Sequence, residues 1–260
     1  MGLDFYLGCL NSGIAGGTKW ARRLRGPVNL LGDISRLRDE YAERENRFTN
    51  SDIYSAINPA NLFMVQSRQR EVLSFLRSFG FINLSDLQIL EMGSGAGGVM
   101  TEYLGFGAVP GNLYGMDLLF DRLLVAQQRL PGSAFANADG QSIPFPSGIF
   151  DLVLQYTAIS SILDTEIRRD VCADMLRVLK PDGMILSYDF WINPTNRQTR
   201  GLGLSEIRSS FPGCQIDYRK ITLAPPIARR LVPVSWLLSA FLEKLTIFNT
   251  HYLVAINPKK

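Results

Sequence analysis

The sequence predicts an α/β domain with a mostly parallel sheet, placed behind a helical N-terminal extension. Short apolar stretches alternate with segments of helical periodicity between residues 87 and 190, which is the order expected of right-handed βαβ units. A glycine-rich turn lies directly after the first apolar stretch and before the first helical segment. The 260 residues are enough for one such domain with additions.

The N-terminal third predicts a helical extension. Residues 18–26 are basic and residues 34–48 are densely charged, as in a solvated helix. From Pro59 onward apolar residues recur at helical spacing, and Gly80 stands where a C-terminal cap belongs. We therefore assign residues 1–82 to the extension and residues 83–260 to the main domain.

Strands and helices alternate through most of the main domain. Helices are predicted around residues 100–104 and 119–130 and from about Asp164. A run of large apolar residues with several prolines interrupts the tail and predicts a lid-like insertion at 225–248. The predicted strands cover residues 87–91, 113–117, 134–137, 150–156, 184–190, 215–223 and 251–256.

Composition excludes several classes of protein. The net charge of +3 is too small to require a nucleic-acid partner. Three widely spaced cysteines indicate neither a disulfide framework nor a zinc site, so we expect no metal. The N-terminus lacks the basic start of a signal peptide, and no stretch reaches the roughly 18 apolar residues of a spanning helix. We expect a cytoplasmic protein.

The glycine-rich turn, Leu-Glu-Met-Gly-Ser-Gly-Ala-Gly-Gly at residues 90–98, is the strongest functional signal. Its letters fit the G-x-G-x-x-G fingerprint of dinucleotide-binding loops and also an acid-x-G-x-G-x-G pattern that begins at Glu91. A carboxylate at the end of the strand would repel a pyrophosphate. Glu91 therefore favours a ligand that brings cationic groups.

Two further segments separate the alternatives. Residues 139–145 followed by 150–153 read D-G-Q-S-I-P-F and F-D-L-V, and residues 177–183 read R-V-L-K-P-D-G. Together with the acidic glycine turn, this series resembles class I S-adenosylmethionine-dependent methyltransferases, with Ile143 where that family usually has leucine. The resemblance implies a Rossmann-like, doubly wound, seven-stranded sheet whose last strand is antiparallel, and an extension that covers the cofactor side.

The resemblance also implies a set of cofactor contacts. Asp117 ends the second strand, where an acidic side chain accepts hydrogen bonds from ribose hydroxyls, and Asp139 takes the adenine-binding role. The residues expected to bind S-adenosylmethionine are Glu91, Gly93, Ser94, Gly95, Gly97, Asp117, Leu118, Ala138, Asp139, Gly140 and Gln155.

Methyl transfer constrains catalytic residues weakly, because positioning supplies much of the acceleration and at most one base is needed. Asp189 and His251, the single histidine, are the candidate bases. Alternatively, Asp189 caps a turn and His251 has a structural role. The side chains expected to contact the acceptor lie at carboxyl ends of strands or in the loop that follows; they are Tyr156, Tyr188, Trp191 and Arg200.

The acceptor is the least determined part of the prediction. Residues 188–196, 200–201, 206–212 and 223–226 resemble bacterial methyltransferases that accompany sugar-polymer synthesis. This resemblance implies methylation of a hydroxyl on a small molecule or a glycan, free or lipid-linked. A nicotinamide-dependent oxidoreductase and a non-catalytic interaction protein stay open as alternatives.

The apolar residues of segment 225–248 must be covered by something. They pack against the sheet, form a homodimer interface, or lie on the inner face of a membrane. The cations Arg229, Arg230 and Lys244 suit the membrane alternative, to which the basic residues 18–26 would add a second contact.

Overall fold

The computed structural model describes residues 35–36, 39, 43, 52–193, 196 and 198–258. The chain divides into two compact units, Met1–Arg36 and Leu37–Lys260. Every element described below belongs to the second unit. The prediction of a second membrane contact at residues 18–26 lies outside the described residues, as does most of the charged segment 34–48.

Seven strands form one sheet in the order β3-β2-β1-β4-β5-β7-β6. Strands β1 to β5 pair in parallel, and β7 runs antiparallel to both of its neighbours, β5 and β6. The predicted fold class, including the antiparallel last strand, is confirmed. The strands are β1 Ile89–Met92, β2 Leu113–Asp117, β3 Ala134–Asn137, β4 Phe150–Tyr156, β5 Leu179–Phe190, β6 Cys214–Leu223 and β7 Asn249–Pro258.

Seven α-helices accompany the sheet in the described part of the chain. They are α1 Pro59–Ser78, α2 Gly98–Gly105, α3 Phe120–Arg129, α4 Thr165–Val178, α5 Leu204–Ser210, α6 Pro225–Leu231 and α7 Trp236–Lys244. None of the helices in the described ranges is long and apolar enough to cross a membrane.

Helix α1 begins and ends where the sequence predicts. The Asn58 side chain accepts hydrogen bonds from the backbone N–H groups of Ala60 and Asn61, and Pro59 occupies the first turn, where its missing N–H costs nothing. Gly80 has a φ of 84°, the left-handed conformation of a glycine that ends a helix.

Strand β5 begins five residues before the predicted strand at residue 184. Leu179 already pairs with Phe150, and the register shifts between Phe150 and Leu152. Asp151 secures this start: it accepts from Gln88 N at 2.8 Å and forms a 2.7 Å ion pair with Lys180. Residues 179–183, which belong to the R-V-L-K-P-D-G segment, are therefore already part of the sheet.

Two apolar cores lie on the two sides of the sheet. One packs α1 and α2 against it and contains Phe75, Tyr103, Tyr156 and Tyr188. The other contains the buried faces of α4 and α5. Because β1, β2, β4 and β5 run parallel, their carboxyl ends meet at one edge, which is where open α/β sheets bind ligands.

Segment 225–248, the predicted lid-like insertion, contains helices α6 and α7. Ala228 and Val232 join a small apolar cluster with Ala60 and Phe63 of α1, and Phe63 meets Trp236 edge to face at 5.1 Å. The helices thus rest on α1 and on the end of β6.

Arg168, on α4, has a side chain that is 1% exposed. It forms a 3.0 Å ion pair with Glu206 on α5, and it donates to the carbonyl oxygens of Ile162 and Arg200. One guanidinium thus joins α4, α5 and two loops.

Replacing Arg168 with alanine is expected to lower the free energy of unfolding by about 3 kcal/mol, because Glu206 and the two carbonyls lose a buried cation. Urea denaturation measures this change. The matched control is Arg169→Ala on the same helix, whose pair with Glu166 is solvent-exposed and contributes less than about 1 kcal/mol. Equal losses in the two variants would contradict the network role.

Candidate functional site

The glycine turn between β1 and α2 adopts the left-handed conformation that its sequence indicates. Gly93, Gly95 and Gly97 have φ angles of 74°, 50° and 75°, which side chains rarely adopt. A Cβ on Gly93 would lie 2.5 Å from Ala158 Cβ. The N–H groups of Gly93 and Ser94 both donate to the Met116 carbonyl, so the end of β2 holds the turn in place.

Glu91 is buried beside this turn, with a residue exposure of 2%. Burial raises the pKa of its carboxyl group well above the ordinary value, and the nearby Asp117 and Glu102 carboxylates raise it further. Among the described residues, Glu91 Oε2 and Ser94 Oγ have no hydrogen-bond partner. A buried carboxylate with a free oxygen fits the ammonium group of a ligand, so the residues present suit S-adenosylmethionine better than a pyrophosphate.

The ends of β2 and β3 complete the predicted cofactor side. Asp117 accepts from Gly95 N at 2.8 Å and from Leu119 N at 2.9 Å. Asn137, which the sequence did not single out, donates from its side chain to the carbonyls of Asp117 and Leu118. The structure thereby brings the glycine turn and the second strand end together.

Asp139 lies in the loop after β3, next to Ala138 and Gly140. Both of its carboxylate oxygens accept from Gln141, at 2.9 Å from the backbone nitrogen and 2.9 Å from Nε2. Ala138 N donates to the Asp117 carbonyl at 3.2 Å, so this loop lies against the end of β2. Carboxylate oxygens have further lone pairs, which leaves Asp117 and Asp139 able to accept from a ligand.

Gln155 and Asp189 hold the turn after β4. Gln155 is fully buried; its oxygen accepts from the N–H groups of Ala158 and Ile159, and its amide donates to Ser187 Oγ and Asp189 Oδ2. Asp189 also accepts from Ser160 N at 3.0 Å and Phe190 N at 2.8 Å. The turn-capping alternative therefore describes what the Asp189 side chain does here.

Tyr156 and Tyr188, at the ends of β4 and β5, lie together in a buried polar group. Tyr156 Oη is 3.1 Å from Tyr103 Oη, and Tyr188 Oη is 2.9 Å from Thr222 Oγ1. The guanidinium of Arg68 on α1 lies 5.5 Å and 5.4 Å from the two ring centroids. We call this set, which comprises Arg68, Tyr103, Tyr156, Tyr188 and Thr222, the tyrosine–arginine cluster.

Arg68 is balanced by an ion pair with Glu102 on α2. Its Nε is buried and has no hydrogen-bond partner in the part of the chain that the structure describes. A donor therefore remains for an oxygen of a ligand. Burial raises the pKa of the Tyr156 hydroxyl above its ordinary range and that of Tyr188 to about 12, so both phenols are neutral hydrogen-bonding groups.

His251 borders the cluster from β7. Its ring stacks on Tyr188 at 4.5 Å between centroids and meets Phe190 at 4.0 Å. Burial lowers the pKa of the imidazole to about 3, with a smaller contribution from Arg68. Asp189 follows Tyr188 directly and so projects from the other face of the strand. The structure thus brings His251, and not Asp189, to the tyrosines.

The other two residues predicted to contact the acceptor have partners elsewhere. Trp191 Nε1 donates to the Asn249 carbonyl at 2.8 Å, and the ring carries Lys220 Nζ 4.1 Å from its centroid. Arg200 is half-exposed and donates to Thr165 Oγ1 at 2.8 Å. Neither joins the tyrosine–arginine cluster, and their contact with an acceptor stays a prediction.

Sequence reasoning missed Arg68, Tyr103 and Thr222. Arg68 had a recognisable signal, because Arg68, Val72 and Leu76 are four residues apart and share one face of α1. A charged residue in an otherwise buried stripe indicates a buried partner. Thr222 has a φ of 66°, which is strained for a β-branched residue and has no signature in the sequence.

In the described part of the chain, no group of three or more His, Cys, Asp or Glu side chains is placed to hold a metal ion.

Comparison with known proteins agrees with this geometry. Residues 90–187 match the methyltransferase domain family. The chain is 31% identical over 116 residues to the ubiquinone/menaquinone biosynthesis C-methyltransferase of Stutzerimonas stutzeri, which covers 42% of this chain and 44% of that protein. It is 33% identical over 118 residues to the phthiotriol/phenolphthiotriol dimycocerosates methyltransferase of Mycobacterium leprae, covering 45% and 42%. The chain thus spans less than half the length of these relatives.

The fold is also found in solved structures. The amino pentose methyltransferase of Micromonospora echinaspora, determined with S-adenosylmethionine bound, superposes with a TM-score of 0.53 at 16% identity, over 73% of this chain and 90% of that one. The sheet order, the acidic glycine turn and the family match agree with one another. Residues 90–187 are a class I S-adenosylmethionine-dependent methyltransferase domain.

Proposed function

We propose that this protein transfers a methyl group from S-adenosylmethionine to a hydroxyl of a small-molecule or glycan acceptor, free or lipid-linked. The observation that carries the proposal is the buried Glu91 carboxyl, with an unpartnered oxygen, directly beside the left-handed glycine turn. When bound, S-adenosylmethionine supplies a methyl carbon activated by its sulfonium. The chain's own residues bind and orient both partners.

Each part of the methyl donor has a matching group on this edge of the sheet. Glu91 suits its ammonium, Asp117 its ribose hydroxyls and Asp139 its adenine amino group. A nicotinamide dinucleotide would instead bring a pyrophosphate to the turn, beside the Glu91 carboxyl, which favours cationic groups. Electrostatics therefore supports the methyl donor over the oxidoreductase alternative.

The tyrosine–arginine cluster supports a neutral, oxygen-containing acceptor. Its two neutral phenols, the Thr222 hydroxyl and the unpartnered Arg68 Nε can hold hydroxyl oxygens. A protonated amine acceptor would meet the Arg68 guanidinium, which disfavours it. By their names, one relative is a C-methyltransferase of ubiquinone/menaquinone biosynthesis and the other a methyltransferase of phthiotriol and phenolphthiotriol dimycocerosates.

Removal of the proton from the acceptor hydroxyl requires little of the protein. The acceptor oxygen bonds to the methyl carbon while that carbon's bond to sulfur breaks and its electron pair stays on sulfur, and the hydroxyl proton passes to a base or to water. A residue that acts as general base works best with a pKa near the operating pH. The pKa of His251 is far below this, and Asp189 is held by three donors. We infer that positioning by the cluster provides most of the acceleration.

The first test concerns the donor. Asp117→Ala is expected to weaken S-adenosylmethionine binding about 5- to 150-fold, because charge-assisted hydrogen bonds are lost. Isothermal titration calorimetry measures the change, and Asp121→Ala, an exposed carboxylate four residues later, is the control. Tight binding of a nicotinamide dinucleotide without any binding of the methyl donor would reject the proposal.

The second test concerns the acceptor site. Tyr156→Phe removes one hydroxyl of the cluster and should lower the rate of labelled methyl transfer into lysate fractions about 10- to 100-fold, at unchanged donor affinity. Tyr114→Phe is the control. It also removes one phenol hydroxyl, but on the opposite face of the sheet, where the Tyr114 ring packs on Phe150. If both variants lose methyl transfer equally, the cluster does not bind the acceptor. Donor binding without transfer into any fraction would favour a non-catalytic protein.

The third test concerns His251, whose pKa is lower in the folded chain than its ordinary 6.5. Below 6.5 the unfolded chain takes up a proton that the folded chain refuses. The stabilisation is thus complete above 6.5 and is lost as the pH falls toward about 3, with a slope of at most about 1.4 kcal/mol per pH unit. Urea denaturation at several pH values should show this slope in the wild type and its removal in His251→Phe.

The same variant addresses the base. If positioning dominates, His251→Phe lowers methyl transfer less than about tenfold at saturating donor, whereas loss of a general base costs about 10²–10⁴-fold. A loss in the larger range, at unchanged donor affinity, would identify His251 as the base that the sequence predicted.

A further inference from the structure

Helix α7 has its polar side toward the protein and its apolar side toward solvent. Ser239 is fully buried and donates to the Ser235 carbonyl. Glu243 accepts from Ser67 Oγ at 2.7 Å and from Leu223 N at 3.2 Å. Leu237 and Phe241, four residues apart and so on one face, are 82% and 58% exposed. A surface helix of a globular protein ordinarily has the reverse arrangement.

The exposed apolar side continues beyond these two residues. Leu245, the C-cap residue of α7, follows Phe241 by four residues and so falls on the same side of the helix. Val234 lies in the turn before α7 and is 82% exposed. Scattered apolar residues need no explanation, but a contiguous patch indicates an interaction surface. We call this patch the α7 surface; its exposed members are Val234, Leu237, Leu238, Phe241, Leu245 and Ile247.

Cations flank the α7 surface. Arg229 and Arg230 lie in the last turn of α6 and Lys244 in the last turn of α7, and all three are exposed. The acidic residue of segment 225–248, Glu243, is occupied by its internal hydrogen bonds. A groove lined by Pro226, Ile227, Arg230 and Leu231 lies on the same segment and places a guanidinium beside apolar side chains.

We propose that the α7 surface binds anionic phospholipid membranes, with Leu237 and Phe241 entering the boundary of the acyl chains and the cations meeting phosphate headgroups. Helices of this composition lie in the plane of the membrane interface, and basic residues near an anionic leaflet add to the attraction. A second copy of the chain fits less well. A twofold interface would pair this segment with its own copy, whose acidic residue, Glu243, is already hydrogen-bonded inside the protein and so offers the cations no partner.

The α7 surface is adjacent to the proposed acceptor site. Glu243 of α7 holds Ser67, and the next residue, Arg68, contacts Tyr156 and Tyr188. Docking through α7 would therefore keep the tyrosine–arginine cluster close to the lipid surface, where a lipid-linked hydroxyl is available. The proposal extends the proposed function without depending on it, because its test measures no methyl transfer.

Flotation with vesicles tests whether the α7 surface binds membranes. The full-length chain should float at low salt with phosphatidylcholine vesicles that contain phosphatidylglycerol, and remain at the bottom of the gradient with phosphatidylcholine alone. Leu237→Ser combined with Phe241→Ser should reduce the bound fraction at least about tenfold. Each of Arg229→Gln and Arg230→Gln should weaken partitioning about fivefold.

Matched controls come from exposed residues elsewhere. Leu124→Ser on α3 and Arg208→Gln on α5 remove an apolar and a cationic side chain far in sequence from α7, and both should float like the wild type. Circular dichroism verifies that every variant is folded. The proposal fails if the wild type does not float with anionic vesicles, or if the controls lose as much as the α7 variants. A dimer in sedimentation velocity that the serine variant dissociates would assign the surface to a second copy.

Discussion

The left-handed turn from Gly93 to Gly97 is the constraint on which the site depends. Two N–H groups of the turn bind the same Met116 carbonyl, and Asp117 binds a third through Gly95. The turn is thus fastened to the end of the neighbouring strand, β2. Because a Cβ at Gly93 would collide with Ala158 after β4, the same glycine also sets how closely the fourth strand's loop approaches. Three strand ends thereby share one edge.

Buried charge is the second organising feature. The charges of Glu102 and Arg68 both act on the pKa of the Glu91 carboxyl, and Arg68 is paired with Glu102. Burial, with a contribution from the Asp117 and Glu102 carboxylates, raises the pKa of the Glu91 carboxyl, so a bound cationic group would lower it again by favouring the charged form. In the proposed function, the methyl donor meets the Glu91 carboxyl and the acceptor meets the Arg68 guanidinium. The proposal thus distinguishes the two substrates by the sign of the charge that each meets.

Helix α1 connects the site with the exposed surface of the tail. Its Ser67 and Arg68 are neighbours in sequence, yet one holds Glu243 of α7 and the other lies over the tyrosines. Glu243 and Ser239 of α7 form their hydrogen bonds inside the protein, whereas Leu237 and Phe241 on the other side of the helix are exposed. Helix α1 thus links the proposed acceptor site to the α7 surface.

The sequence by itself determined the sheet, the order of its elements and the acidic glycine turn, because periodicity, caps and positive-φ glycines are properties of short stretches. Asp117 was singled out because it ends a strand, and Asp139 because of the resemblance to class I methyltransferases. The tertiary structure alone decided which distant residues meet. It placed His251 against Tyr188 through antiparallel pairing of β7 and brought Arg68 across from α1. Such contacts depend on packing between segments far apart in the chain, for which a single sequence has no local signature.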